Sequence, residues 1–500
     1  QLYNFDLGGP LGDRVRFFVS YEGSHKDDAR PSVSYLSHLD RQVVTDTTGM
    51  SADASVRLVE SYGEYNPETD KFETDSTKFT KYSNYRRLYG PKPNGASDRT
   101  MLLGNIVLDL KPLRIKVGGG TSTMSSRGYV SEAIGISQGT YPSTSALLNS
   151  ENNAQFDWNG FGVYTNFTLG LSPKAFARLN LSYFNSESER GDHRHMGEIR
   201  DYGDPTAEGN EQLIDWGKNP LAIEEFAYFG NFGSVYDEYR KSHMSYIGAK
   251  GDVVSQAGSH ELKLGFEYRA HTLRSYVLSQ PMEIAEGYRK ATVTNWGLDG
   301  KPDTADDLQP GDVGYIDVTD ATWLYTVYRN AYTLNTGYTQ QGEEIDEYNE
   351  ESAHIPPGKP VIIGVYFQDK IELEDMILNV GIRFDRFDFN TEAPESYYDL
   401  WLKEGRIDRE ASKYAEVEPY SYLSPRIGFS FPVTDRTVLH AQYGTFVQHP
   451  ILNRLYLSDS HQAANLSQGN MVVSPNAKLK PERTTQYEVG FAQQVGAFAA

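Results

Sequence analysis

The sequence predicts an all-β fold, a transmembrane antiparallel up-and-down β-barrel, and three observations carry that prediction. Short turns alternate with long polar loops along the whole chain. The segments on either side of each turn alternate apolar and polar residues with a period of two. No run of about 18 apolar residues occurs anywhere, so no membrane helix is expected. An outer-membrane barrel keeps its turns short at the periplasmic end and its loops long outside. A sheet protein in water has no reason to sort its connections that way.

The elements follow in order. Turns are expected at 8–14, 111–113, 172–174, 255–259, 373–375, 432–435 and 494–496, and loops roughly over 24–100, 123–156, 187–242, 275–360, 390–420 and 448–483. Residues 2–7 read as the end of a strand, followed by strands at 14–23, 101–111 and 114–122. In 161–171, Phe161, Val163, Phe167 and Leu169 alternate with Tyr164, Asn166 and Thr168. In 175–185, Ala177, Leu179, Leu181 and Tyr183 oppose Arg178, Asn180 and Ser182. After 243–254 comes the clearest case, 260–271. One face carries Leu262, Leu264, Phe266, Tyr268 and Ala270; the other carries Glu261, Lys263, Glu267, Arg269 and His271. Strand 361–372 precedes 376–385, where Met376, Leu378, Val380, Ile382 and Phe384 oppose Asn379, Arg383 and Asp385. Strands at 421–431, 436–447 and 484–494 complete the series, and 497–500 read as the start of another. That is about thirteen strands with a fourteenth beginning, each near the ten residues a tilted strand needs to cross a bilayer. Gly9-Pro10, Pro173, Ala257-Gly258 and Pro432 sit where the pattern breaks. A soluble propeller or sandwich also has many alternating strands, but they are usually about five or six residues long.

Composition agrees. Hydrophobic residues are 38% of the chain and aromatics 13%, with 35 tyrosines. A barrel strand is apolar on one face only, so a hydrophilic average is compatible with crossing a membrane. Tyrosine suits an interfacial belt, where one end of the ring is wet. Cysteine is absent, which excludes disulfides and Cys-ligated metals. The net charge of −21 argues against a nucleic-acid partner. Acid collects in the loops, as in Glu343-Glu344-Ile345-Asp346-Glu347, where it serves either solubility or attraction of cations. The polar faces carry Arg, Lys, Glu and Asp on strand after strand. Such charges need water or a polar partner, and a wide barrel holding water or a plug supplies both.

Two stretches resemble TonB-dependent outer-membrane receptors. Pro475-Asn476-Ala477-Lys478-Leu479-Lys480-Pro481-Glu482-Arg483, followed by Tyr487-Glu488-Val489-Gly490, is similar to the family's N-x-x-L-K-P-E and Y-E-x-G pattern. Leu7-Gly8-Gly9-Pro10, followed by Phe17-Phe18-Val19-Ser20-Tyr21-Glu22, resembles the turn early in the barrels of carboxypeptidase-regulatory-like and Oar-like members. Ser424-Pro425-Arg426-Ile427-Gly428 and Tyr443-Gly444-Thr445-Phe446 resemble a further strand pair of the family. These residues identify the family without marking a ligand site. The resemblance implies a barrel of about 22 strands around a plug. It also implies a TonB box that contacts the TonB–ExbB–ExbD complex. On this reading residues 1–500 form one incomplete barrel domain, lacking the plug and the last strands.

Candidate sites lie in the loops. Trp296, Tyr315, Trp323, Tyr325 and Tyr328 make 275–360 the longest and most aromatic loop. Tyr332, Tyr338, Tyr397, Tyr398 and Trp401 add to the density. Rings at a barrel mouth either stack on a sugar, siderophore or peptide or pack the loops on one another. Asp299, Asp303 and Asp306 around Gly300 resemble the second half of a calcium loop in 295–307, while Gly297 offers no ligand to the first half. His193 and His195 flank Arg194, a spacing that suits exposed polar side chains of a loop better than metal ligands. There is no G-x-S-x-G, no H-E-x-x-H and no phosphate-cradling loop, and no enzyme is expected.

The expected function is therefore a receptor in the outer membrane of a Gram-negative bacterium. It would import a bulky siderophore, cobalamin, glycan or peptide with TonB-coupled energy, in contact with outer-membrane lipid and lipopolysaccharide. No cofactor is required beyond the calcium considered above. The alternatives are an Oar-like surface protein of adhesion, motility or protein export, and a passive porin.

Overall fold

The computed structural model describes residues 1–27, 95–128, 154–204, 207–210, 236–297, 301–302, 304–349, 355–456, 458–467, 469, 475–495 and 498–499, with short stretches between 35 and 88. Among these residues one large antiparallel sheet runs in strict chain order. Its strands are β1 (Leu2–Pro10), β2 (Val15–Lys26), β3 (Ser97–Leu110), β4 (Leu113–Gly128), β5 (Ala154–Ser172), β6 (Ala175–Gly191) and β7 (Tyr239–Ala257). They continue as β8 (His260–Leu278), β9 (Val361–Leu373), β10 (Met376–Asp388), β11 (Tyr420–Thr434), β12 (Thr437–Gln448), β13 (Glu482–Val495) and β14 (Phe498–Ala499). Each expected strand is present. The tight turns force the meander, because a two- or three-residue link joins only antiparallel neighbours. At the β7–β8 turn Gly258 takes φ +64°, a conformation costly to any residue with a Cβ.

Several turns are tighter than expected: Ser255–Ala257 belong to β7 and Gln494–Val495 to β13. Gly8, Gly9 and Pro10 belong to β1 and pair with Phe18, Phe17 and Arg16, so the chain reverses only after Pro10. Pro432 lies inside β11, opposite Val438, and the register shifts between Pro432 and Thr434. An irregularity of this kind is where a strand tolerates a residue without an N–H donor. Several strands are also longer than the ten residues read from alternation: β5, β7 and β8 each have 19.

The register explains the alternation. Leu264, Phe367 and Ile382 lie side by side on β8, β9 and β10, and they are 57%, 44% and 43% exposed. The row one step along, Phe266, Val365, Phe384 and Leu423, is equally bare. Across the sheet Tyr183, Val163 and Ile247 continue the same surface. An apolar area this continuous is too large to be left to water, and a bilayer is the solvent that fits it. The opposite face holds ion pairs. Asp252 accepts two hydrogen bonds from Nε and Nη2 of Arg178 at 2.9 and 2.6 Å. Arg383 reaches Asp385 at 2.8 Å and Glu267 at 3.3 Å.

Buried apolar residues gather in the loops and at the loop ends of β7 to β10. One cluster joins Ile199, Tyr202, Tyr276, Leu278, Ile284, Tyr328, Ala331 and Tyr338. A second joins Leu273, Ile362, Phe387, Phe389, Leu455 and Tyr456. A third holds Ala393, Val417 and Ala477. Each fully buried large side chain contributes about 1.5–3 kcal/mol, so these clusters fasten the loops to the ends of the strands. Among the described residues three α-helices stand in the loop layer: α1 (Pro281–Asn295), α2 (Ala321–Asn330) and α3 (Asp459–Ser467). Pro281 opens α1 at a position where a missing N–H costs nothing. Asp320 caps α2, its carboxylate accepting from the N–H groups of Thr322 and Trp323 at 2.9 Å each.

Candidate functional site: the loop layer and the polar face

Helix α2 places three of the candidate ring residues together. Tyr325 is 2% and Tyr328 5% exposed, so both belong to the interior of the layer. The Tyr325 hydroxyl donates to the Gly405 carbonyl at 3.0 Å, and the Arg406 guanidinium lies 4.4 Å from its ring centre. Burial pushes that hydroxyl up to about 12. Tyr325 thus binds the 275–360 loop to the 390–420 loop. Trp323 packs edge-on against Tyr288 of α1 at 4.9 Å, and Arg200 covers the Tyr288 ring at 4.1 Å. Trp296 and Tyr315 stand apart from this group, both half-buried. Trp296 ends α1, its N–H donating to the Thr292 carbonyl at 3.2 Å. Asn295 beside it bridges to Ile316, donating to its carbonyl at 3.0 Å and accepting from its N–H at 2.8 Å.

Asp299 and Asp303 lie outside the described residues. Asp306 is described, and its carboxylate accepts from the Thr304 hydroxyl at 2.9 Å. Gly297 has φ +81°, and a Cβ there would run into the Asp306 carbonyl, so the glycine is required by the fold of this segment. Among the described residues no three His, Asp or Glu side chains group to hold a metal. His195 is buried and shares a hydrogen bond with Asn210 at 2.9 Å. Burial, with the Arg127 charge, pulls its neighbour His193 down to about 4. His195 is therefore an interior residue of its loop rather than the exposed one expected from the spacing.

Two of the acids of 343–347, Glu344 and Asp346, have partners. Arg274, rising from β8, meets Asp346 at 3.0 Å and Glu344 at 3.4 Å. It also donates to the carbonyls of Gly337 and Ile345 at 2.8 and 2.5 Å. His243 approaches Glu344 at 3.4 Å and Lys359 approaches Asp346 at 3.7 Å.

Two residues that join the loops carry no signal in the sequence as single positions. Arg409 pairs with Asp459 at 2.7 Å and Glu392 at 2.8 Å, and its guanidinium sits 4.5 Å from the rings of both Tyr348 and Tyr414. It therefore touches three loops. Asp237 accepts the Met282 N–H at the start of α1 at 2.8 Å, and burial pushes its carboxyl up to about 6. The motif at 475–483, by contrast, was visible. Ala477 is buried, its N–H donating to the Tyr397 hydroxyl at 3.1 Å. The Lys478 ammonium donates to the Pro394 and Glu395 carbonyls at 2.6 and 3.0 Å.

Comparison with known protein families agrees with this architecture. A family model described as "TonB dependent receptor-like, beta-barrel" matches residues 141–499. No curated protein matches the sequence. Among solved structures, the chain is similar to the FrpB iron transporter of Neisseria meningitidis at 12% identity, covering 100% of this chain and 50% of that one, with a TM-score of 0.46. It is similar to a double mutant of the Serratia marcescens hemophore receptor HasR, in complex with HasA and heme, at 11% identity, covering 99% and 51% with a TM-score of 0.45. It is similar to the siderophore receptor PirA from Pseudomonas aeruginosa at 10% identity, covering 100% and 50% with a TM-score of 0.43. The chain spans about half the length of these structures. With a bare apolar face, a charged opposite face, short turns at one end and a folded loop layer at the other, this chain belongs to the TonB-dependent receptor β-barrel family.

Proposed function

We propose that this chain forms the membrane-spanning wall of an outer-membrane receptor that imports a bulky ligand, energised through TonB–ExbB–ExbD, in a Gram-negative bacterium. The observation that carries the reading is the pairing of an exposed apolar band with loops packed in hydrophobic clusters onto the strand ends. A passive porin has no use for so much folded protein over its mouth. The polar face supports the energised form. Its charges can hold a plug through contacts that are remade at little cost in water. Siderophores, cobalamin, glycans and peptides all remain within the proposal, as do lipid and lipopolysaccharide as the surroundings of the apolar band.

Trp296, Tyr315 and Trp323 are the ring residues proposed for ligand contact, since Tyr325 and Tyr328 are committed to packing. Calcium at Asp299, Asp303 and Asp306 is proposed as a stabiliser of that segment rather than as cargo. The Leu7-Gly8-Gly9-Pro10 motif favours a second reading, an Oar-like surface protein in adhesion, motility or export. Growth on single nutrient sources after deletion separates the two. Import predicts loss of growth on one nutrient, reproduced by deleting TonB. Normal growth on every nutrient, with defective attachment or secretion, would reject import.

A further inference from the structure

The register of β7 and β8 is unbroken from Ala257 opposite His260 to Tyr239 opposite Leu278. Side chains two apart on a strand share a face, so Arg274, Tyr276 and Leu278 stand on the same side of the wall as Leu264, Phe266 and Tyr268. Lower down, that side is bare apolar surface. Higher up it is covered: Tyr276 and Leu278 are buried in the first loop cluster, and Arg274 is held by Glu344 and Asp346. Part of the loop layer therefore stands outside the wall, as a ledge above the apolar band. A plug held on the polar face cannot reach this side.

Beneath the ledge, the outer face of β4 to β8 has a depression of about 580 Å³. Its floor is Thr165 and Ala249, which flank Leu181 in one row of the sheet. Val163, Tyr183, Ile247 and Tyr268 stand around it as a rim. Tyrosines on a lipid-facing surface mark the level where acyl chains meet headgroups. His243 follows Ile247 up β7, roughly 13 Å along the strand. Its Nε2 meets Asn185 Oδ1 at 2.6 Å, and its Nδ1 faces the Glu344 carboxylate at 3.4 Å. Opposite His243 in register is Glu187, whose carboxylate accepts from the Asn185 amide at 3.1 Å. Glu187 and Glu344 are both exposed. The neighbouring cations are committed. Arg274 is buried and shared between Glu344 and Asp346, and the Lys241 ammonium lies over the rings of Tyr276 and Tyr338. A headgroup at this ledge meets carboxylates, which attract an ammonium and repel an anion.

We propose that this outer face seats one ammonium-headed membrane lipid, its acyl chain in the depression and its ammonium between Glu187 and Glu344. The proposal rests on the reading that the apolar band meets a bilayer, and it is independent of import. The full-length receptor, placed in nanodiscs of equal parts phosphatidylethanolamine and phosphatidylglycerol, tests it. Native mass spectrometry reads the lipid that stays bound after extraction. Phosphatidylethanolamine should be retained about threefold over phosphatidylglycerol. Ala249→Phe fills the floor and should lose the bound lipid, while the heat-dependent gel mobility of the folded barrel stays unchanged. Glu187→Gln with Glu344→Gln should keep a bound lipid but abolish the preference. Ile382→Phe, on the band away from the depression, should change nothing. Lipid retained by Ala249→Phe as by the parent, or equal retention of both lipids by the parent, overturns the proposal. Lipopolysaccharide carried through in place of phosphatidylethanolamine overturns it as well. A receptor that enters nanodiscs but retains no lipid sinks the seat and leaves the bilayer reading standing.

Discussion

Arg409 joins three loops of the layer through one side chain. It neutralises Asp459, which is buried, and spans to Glu392 and two tyrosine rings. Arg409→Ala strands the Asp459 carboxylate at a local cost on the order of 3 kcal/mol. Amide hydrogen exchange over α3 should accelerate by about a hundredfold while that of β5–β8 stays unchanged; uniform exchange throughout would count against the assignment. Asp237 makes a pH-dependent contact. Its folded pKa is raised, so its contribution is fully present below the unfolded value near 4 and is lost as pH rises through about 6. The start of α1 should therefore be firmer at pH 4–5 than at pH 7, by on the order of 2 kcal/mol. Asp237→Asn keeps an acceptor for the Met282 N–H and should abolish that dependence in exchange measured across the range. Neither residue was legible in the sequence, because their partners lie far along the chain: Arg409 is 50 residues from Asp459 and Asp237 is 45 from Met282. Lys478 was legible only through its motif.

At the scale of elements, legibility follows the solvent. Where one face meets lipid and the other meets water, as in 260–271, the side-chain period is plain and the strand was read directly. Above that zone both faces touch water or loops. The upper part of β7, from Tyr239, loses the alternation, and that of β5 moves its apolar residues, Phe156 and Trp158, to the other face, although both ladders continue. The helices were missed for a related reason. Only Pro281, Ile284, Ala285 and Ala291 of α1 are buried, too sparse a stripe to stand out. The caps were the available signal. Asp320→Ala should loosen α2 by about 1 kcal/mol, read as faster exchange at Thr322 and Trp323. The aromatic density of 275–360 was correctly seen, but composition could not divide rings that pack, Tyr325 and Tyr328, from those nearer solvent.

For the whole molecule, the claim beneath everything else is that successive residues of one strand meet two different solvents. The chain has no cysteine, so single cysteines can be placed without background. The decisive measurement is a cysteine scan of 262–269 on β8 in reconstituted bilayers, with spin labels read against a lipid-soluble and a water-soluble relaxant. Labels at Leu262, Leu264, Phe266 and Tyr268 should respond to the lipid-soluble agent, and those at Lys263, Gly265, Glu267 and Arg269 to the aqueous one. A period other than two, or water access at every position, would contradict the account.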